Sequence, residues 1–173
     1  DTLVKKNEIL SLSELYNDHK KTAEELLNEM VGVEAIRSRI EEIICQIEAS
    51  LKFPELGTPC IHMRFIGNPG TGKTTVARVI GKMLKEKGIL RNGHFFEYCG
   101  RDFCGQFVGE TAPKTSAMCR DAYGSVLFID EAYTLYRENR RGTVDYGREA
   151  IDTLIAEMEN HRSDLVIIMA GYP

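Results

Sequence analysis

The sequence predicts an α/β fold, a parallel sheet flanked by helices, with a helical segment ahead of it. Three observations carry that prediction. From residue 61 onward, short apolar runs alternate with stretches of helical period, the pattern of parallel strands joined by crossover helices. Glycine stands directly after two of those helical stretches, at Gly88 and Gly124, where a left-handed C-cap residue belongs. A glycine-rich loop, Gly67-Asn68-Pro69-Gly70-Thr71-Gly72-Lys73-Thr74, joins one apolar run to the next helix, as a phosphate-binding P-loop does.

Residues 1–29 read as a helical arm. Its first part is polar, with one apolar cluster at Ile9, Leu10, Leu12, Leu15 and Tyr16. A firmer helix start follows at Thr22-Ala23-Glu24-Glu25, a capping box in which Thr22 accepts from a first-turn amide and Glu25 reaches back. Ile36, Ile40, Ile43, Ile47 and Leu51 then recur at steps of four and three, placing one apolar stripe on a helix that stops before Pro54. The nucleotide-binding α/β unit is drawn from residue 30 to residue 173. Its strands are expected at Ile61–Ile66, His94–Cys99, Val126–Ile129 and Leu165–Ala170. Helices are expected at Thr74–Lys87, Pro113–Tyr123 and Gly147–Asn160, and residues 136–145 read as a polar loop carrying Arg137, Arg140 and Arg141.

Composition narrows the class. At 173 residues with 43% of them apolar, the chain is long enough for one core and too short for two. No apolar run approaches a membrane span. The formal net charge is −4, which argues against a generally basic nucleic-acid surface. The cysteines, Cys45, Cys60, Cys99, Cys104 and Cys119, are odd in number and form no C-x-x-C pair, as expected of reduced thiols in a cytoplasmic protein. The four histidines are scattered away from metal-ligand spacing.

The P-loop has a physical reason for each residue type. Glycines allow successive amides to turn inward around phosphate oxygens, and the helix that follows aims its positive end at them. Lys73 reaches the β- and γ-phosphates, and the Thr74 hydroxyl ligates Mg²⁺. The binding set is Pro69, Gly70, Thr71, Gly72, Lys73, Thr74 and Thr75. A second motif, Val126-Leu127-Phe128-Ile129-Asp130-Glu131, runs a buried strand into two carboxylates. Such a pair is costly without a compensating cation or donors. A Walker B element supplies the compensation, with Asp130 holding Mg²⁺ through its water shell and Glu131 polarising the attacking water. Placed directly after that Asp, and without an N-K-x-D guanine signature, Glu131 points to hydrolysis of ATP rather than GTP.

With both motifs placed, Phe107-Val108-Gly109-Glu110-Thr111-Ala112-Pro113-Lys114-Thr115, Phe128–Tyr136 and Asp145-Tyr146-Gly147-Arg148-Glu149-Ala150 resemble one group of AAA+ ATPases, which contains stage V sporulation protein K and the red-type Rubisco activases. The resemblance covers about residues 30–173. It implies the AAA+ large subdomain, with the strand Leu165–Ala170 inserted between the two motif strands and His94–Cys99 outermost. It also implies that Val31 and Gly32 contact adenine, that Tyr172 occupies the sensor 1 position, and that Phe107, Val108 and Gly109 form a loop lining the pore of a homo-hexamer. Arg140 and Arg141 fall where a second pore loop would lie.

The function so implied is ATP hydrolysis, with Mg²⁺ and with Lys73 and Glu131 as catalytic residues, coupled to remodelling of a protein client. Alternatives are a nucleotide-gated scaffold without productive hydrolysis, against which Glu131 stands, and a DNA-associated ATPase, against which the acidic balance stands. No membrane partner is expected. The resemblance further implies a fifth strand, an arginine finger and a helical lid beyond sensor 1, so the lid is expected to be absent from this chain. The chain alone is then expected to be nearly inactive.

Overall fold

The computed structural model describes residues 21–30, 32, 34–53, 55, 57, 59–136 and 145–172. Two helices come first. Helix α1 (Ala23–Glu29) opens on the expected capping box: the Glu25 amide donates to Thr22 Oγ1 at 3.2 Å, and the Thr22 amide donates to Glu25 Oε2 at 2.7 Å. Helix α2 (Glu34–Lys52) buries Ile40, Ile43 and Ile47 of its apolar stripe. Leu51, the last residue of that stripe, is 74% exposed, because the helix outruns the core it packs on.

The remainder alternates as the periodicity implies: β1 (Met63–Ile66), α3 (Lys73–Glu86), β2 (Phe95–Cys99), α4 (Thr111–Asp121), β3 (Ser125–Asp130), α5 (Tyr146–Asn160) and β4 (Leu165–Gly171). The four strands form one parallel sheet in the order β1-β4-β3-β2, with the sensor-position strand inserted as the resemblance implies.

Successive side chains of a strand point to opposite faces, and the two central strands bury both. On one face Val126, Phe128, Val166, Ile168 and Ala170 pack with residues of α1, α2 and α3. On the other, Leu127, Ile129, Leu165 and Ile167 pack with Leu154 of α5 and Cys119 of α4. Each large apolar side chain so buried contributes about 1.5–3 kcal/mol. Helix α1 belongs to this packing: Ala23 and Leu27 are buried in the first cluster, and the Glu86 carboxylate of α3 accepts the Ala23 amide at 3.2 Å.

Most boundaries shift by one or two residues from the sequence expectation, and two of the shifts have a clear local reason. The first strand begins at Met63 rather than Ile61, because the His62 imidazole takes over there: its Nδ1 accepts the Ile167 amide of β4 at 3.0 Å. Helix α4 begins at Thr111, two residues before Pro113, because first-turn amides have no helical acceptor and proline loses nothing at that position. The Walker strand extends to Asp130 itself. Arm residues 1–20, Val31 and loop residues 137–144, with Arg137, Arg140 and Arg141, lie outside the described residues. No helix among the described residues is long and apolar enough to cross a membrane, and no disulfide joins any of the five cysteines.

Candidate nucleotide site

All four strands run the same way, so their C-terminal ends lie along one edge of the sheet. The two motifs meet that edge, the usual ligand position in an open parallel sheet. Residue Ile66 of β1 pairs with Gly171 of β4, and the Gly67 amide donates to the Gly171 carbonyl at 3.2 Å. On the far side of β4, strand β3 ends at Asp130, which pairs with Cys99 of β2.

Gly70 and Gly72 have φ of 73° and 78°, and a Cβ on either would meet nothing within 4 Å. Their requirement is conformational, since the left-handed region suits glycine alone without cost, and the concavity they form stays open. Gly72 is also the N-cap of α3 and supplies no side-chain cap, so first-turn amides face the concavity without an acceptor. Thr71 Oγ1 donates to the Asn68 carbonyl at 2.8 Å and pins the loop. Lys73 Nζ donates to the carbonyls of Gly67 and Asn68, both at 2.9 Å, and lies 5.3 Å from the centre of the Tyr172 ring. Thr74 follows in the first helical turn, Thr75 is exposed beside it, and Pro69 is exposed at the loop tip.

The second motif is held by strain and its compensation. Glu131 has φ 48° and ψ 43°, and among the described residues no other non-glycine residue has positive φ. That conformation costs about 1 kcal/mol or more. Offsetting it, Thr134 donates to the Glu131 carbonyl through both its amide and its hydroxyl, each at 2.8 Å, and the Glu131 amide donates to Asp130 Oδ1 at 2.8 Å. The Cys99 thiol donates to Glu131 Oε2 at 3.5 Å. Gly100 must be glycine here, because a Cβ would come within 2.6 Å of Thr134 Oγ1 and 3.0 Å of the Glu131 carbonyl.

The Tyr172 ring packs at 5.4 Å, tilted by 36°, against that of Tyr133, from the 3₁₀ turn Ala132–Leu135 that follows Glu131. Gly32, by contrast, is exposed with φ 76° between α1 and α2. A cavity of about 530 Å³ opens beside the P-loop, walled by Ile36, Ile40 and Ile43 of α2, by Ile66, and by Thr71 and Lys73. Apolar walls next to an anion cradle match a nucleotide's division into base and phosphates.

Phe107 and Val108 are 68% and 74% exposed. The residues after them explain why. Glu110 Oε2 accepts the amides of Gln106 and Phe107, both at 3.1 Å, and Thr111 Oγ1 accepts the Gly105 amide at 2.9 Å. Lys114 Nζ donates to the Cys104 carbonyl at 3.0 Å, and Thr115 Oγ1 to that of Phe103 at 3.1 Å. The stretch Glu110–Thr115, read in the sequence only as a mark of resemblance, is thus a fastening for the loop that exposes two apolar side chains. Glu149 Oε1 of α5 accepts the Ala112 amide at 3.3 Å, capping α4 at the loop's base.

The donor set fits Mg²⁺ and a nucleoside triphosphate: free helix-start amides, an ammonium and a hydroxyl on one strand end, and two carboxylates on another. Together the sheet order and this site define a P-loop nucleoside-triphosphate-binding domain.

Comparison with known proteins narrows that class. Residues 63–173 match the family model "ATPase family associated with various cellular activities (AAA)", and the chain belongs to that family, whose cofactors are ATP and Mg²⁺. Protein CbbX of Cereibacter sphaeroides is 47% identical over 158 residues, which are 88% of this chain and 50% of that protein. The chloroplastic ribulose bisphosphate carboxylase/oxygenase activase of Cyanidioschyzon merolae is 45% identical over 88% of this chain and 53% of its own. A CfxQ homolog of Galdieria sulphuraria is 44% identical over 94% of this chain and 55% of its own. The chain spans about half the length of the curated relatives it matches.

Proposed function

We propose that this chain is the nucleotide-binding part of a cytoplasmic protein that hydrolyses ATP and uses the energy to remodel a protein client. The observation that carries the reading is the meeting of an open glycine cradle with a strained Asp130-Glu131 pair on one edge of the sheet. Lys73 and the first-turn amides, with Thr75 among the flanking residues, hold the triphosphate. Thr74 and Asp130 are the residues to hold Mg²⁺, which when bound neutralises charge on the phosphate oxygens. Glu131 orients the attacking water and takes its proton, and Tyr172 adds a hydroxyl at the end of the intervening strand. Val31 and Gly32 are proposed to meet the base. Catalysis here is positioning and charge neutralisation more than covalent chemistry.

The client is a polypeptide held by Phe107 and Val108 on the Gly109-hinged loop, in a homo-hexamer that lines a pore with six such loops. An exposed ring on a fastened loop can hold an extended chain without reading its sequence. The name of one relative, a ribulose bisphosphate carboxylase/oxygenase activase, supports a carboxylase as the client, and a sporulation role keeps only the sequence resemblance behind it. In the full-length protein, Phe107→Ala is expected to retain basal ATP hydrolysis and to lose client remodelling. Remodelling at the original rate would contradict the pore-loop role.

A further inference from the structure

Tyr172 stands where the end of β4 is tied to the P-loop. Its neighbour Gly171 pairs with Ile66 of β1 and accepts the Gly67 amide at 3.2 Å, so the residue that follows is fixed against the start of that loop. The Tyr172 ring thereby comes to lie 5.3 Å, from ring centre to Nζ, from the Lys73 ammonium. Lys73 opens α3, and its Nζ donates to the carbonyls of Gly67 and Asn68, both at 2.9 Å. An ammonium has three N–H donors, so the two carbonyls leave one for a phosphate oxygen, with the ring beside them. The face of an aromatic ring is negative, and a cation within about 6 Å of its centre is attracted to it. The resemblance gives this position the part of a hydrogen-bonding side chain; an aromatic residue there offers a face as well.

We propose that Tyr172 is a positioning residue for Lys73, acting through the face of its ring: together with the two loop carbonyls it holds the ammonium where the remaining N–H meets phosphate. The proposal deepens the reading of Lys73 as the phosphate ligand and rests on it. Lysine carries its charge on a flexible four-carbon stem, and holding that stem in its binding position lowers the ordering cost of taking up a ligand. The ring therefore acts on ATP affinity, whereas the Tyr172 hydroxyl acts on turnover. Attraction of a cation depends on the electrons of the ring face, and packing depends on the size of the ring. Fluorine separates the two, because it withdraws electron density from the face and leaves the shape nearly unchanged.

The test titrates the full-length protein with ATP by calorimetry. Tyr172→Phe keeps the face and removes the hydroxyl, and its ATP affinity is expected to be unchanged. Tyr172→Leu removes the face; it is expected to weaken ATP binding about threefold to fivefold, the worth of a cation over a ring at an exposed site. Mono-, di- and trifluorinated phenylalanine in place of Tyr172 keep the packing and drain the face. Affinity is expected to fall stepwise along that series and to reach the Tyr172→Leu value at three fluorines. A merely structural role would leave affinity flat across the fluorinated series. A flat series, or a loss in Tyr172→Phe as large as that in Tyr172→Leu, overturns the proposal. Lys73→Ala runs alongside: if it loses ATP binding while the fluorinated series is flat, this inference alone fails. If Lys73→Ala binds ATP normally, the underlying reading fails and carries the inference with it.

Discussion

The Lys73 ammonium lies 2.9 Å from the carbonyl oxygen of Gly67, the residue that closes the ladder between β1 and β4 through its own amide. The lysine proposed to hold phosphate and the end of the sheet are thereby tied together.

Removing that amine should empty the site. Lys73→Ala is expected to weaken ATP binding at least about a hundredfold, since charge-assisted bonds to phosphate are each worth about 1.5–3 kcal/mol. Calorimetric titration of the full-length protein with ATP measures it, and affinity within a factor of two of the original would contradict the role.

The fastening of the exposed loop makes a separate prediction. Glu149 caps the start of α4, at the base of the Phe107 loop. Glu149→Ala is expected to cost about 1 kcal/mol of stability, the worth of an anionic cap, and to lower client-dependent turnover more than basal turnover. Equal losses of both activities would argue that Glu149 has no part in presenting the loop.

Gly147 is a packing requirement. A Cβ there would collide with the Leu135 carbonyl, at the end of the turn leaving Glu131. Backbone on both sides leaves nothing to rotate away, so Gly147→Ala is expected to destabilise the domain by about 3 kcal/mol. A thermal melt with Tm unchanged would mean that α5 can shift freely against that turn.

His62 gives the fold an acid limit. Its Nδ1 accepts the Ile167 amide at 3.0 Å, and its other ring nitrogen donates to the Met158 carbonyl at 3.2 Å, so the neutral ring serves both partners. Burial, the largest cause, pushes its pKa below 6.5, with Arg162 acting the same way; the Met158 bond and Glu159 oppose. A histidine whose pKa is lowered on folding takes up its proton more readily in the unfolded chain. Its contribution is therefore whole above pH about 6.5 and lost progressively as pH falls from there through the lowered folded value. Protonation also turns Nδ1 into a donor facing a donor. Tm should fall between pH 7 and pH 5, and His62→Gln should flatten that slope; an equal slope in the variant would place the acid sensitivity elsewhere.

Much of this was legible in the sequence because it repeats along the chain. The strands, the helices and the P-loop follow from apolar period and glycine placement, the sheet order was implied only by the family resemblance, and Asp130-Glu131 is read from a strand that ends in two acids. What the sequence hid is contact between distant residues. Tyr133 stood inside a recognised stretch, but its partner Tyr172 is 39 positions away. Gly100 and Gly147 read as ordinary glycines until the backbone of the 131–135 segment came against them. Glu110, Thr111, Lys114 and Thr115 looked like a signature, and their purpose appears only when the loop before them folds back over them. Leu51 shows the converse: periodicity placed it on the buried stripe, but the core ends before it does.

The central claim is that Glu131 is the base of an ATP-hydrolysing site, and one substitution tests it most directly. Glu131→Gln in the full-length protein keeps the side chain's shape and removes its charge. ATP binding by calorimetry and phosphate release should be measured on the same preparation. The account predicts ATP affinity within about threefold of the original, with turnover reduced at least about a hundredfold, the scale of a positioned general base. Unchanged phosphate release, with binding intact, would contradict it.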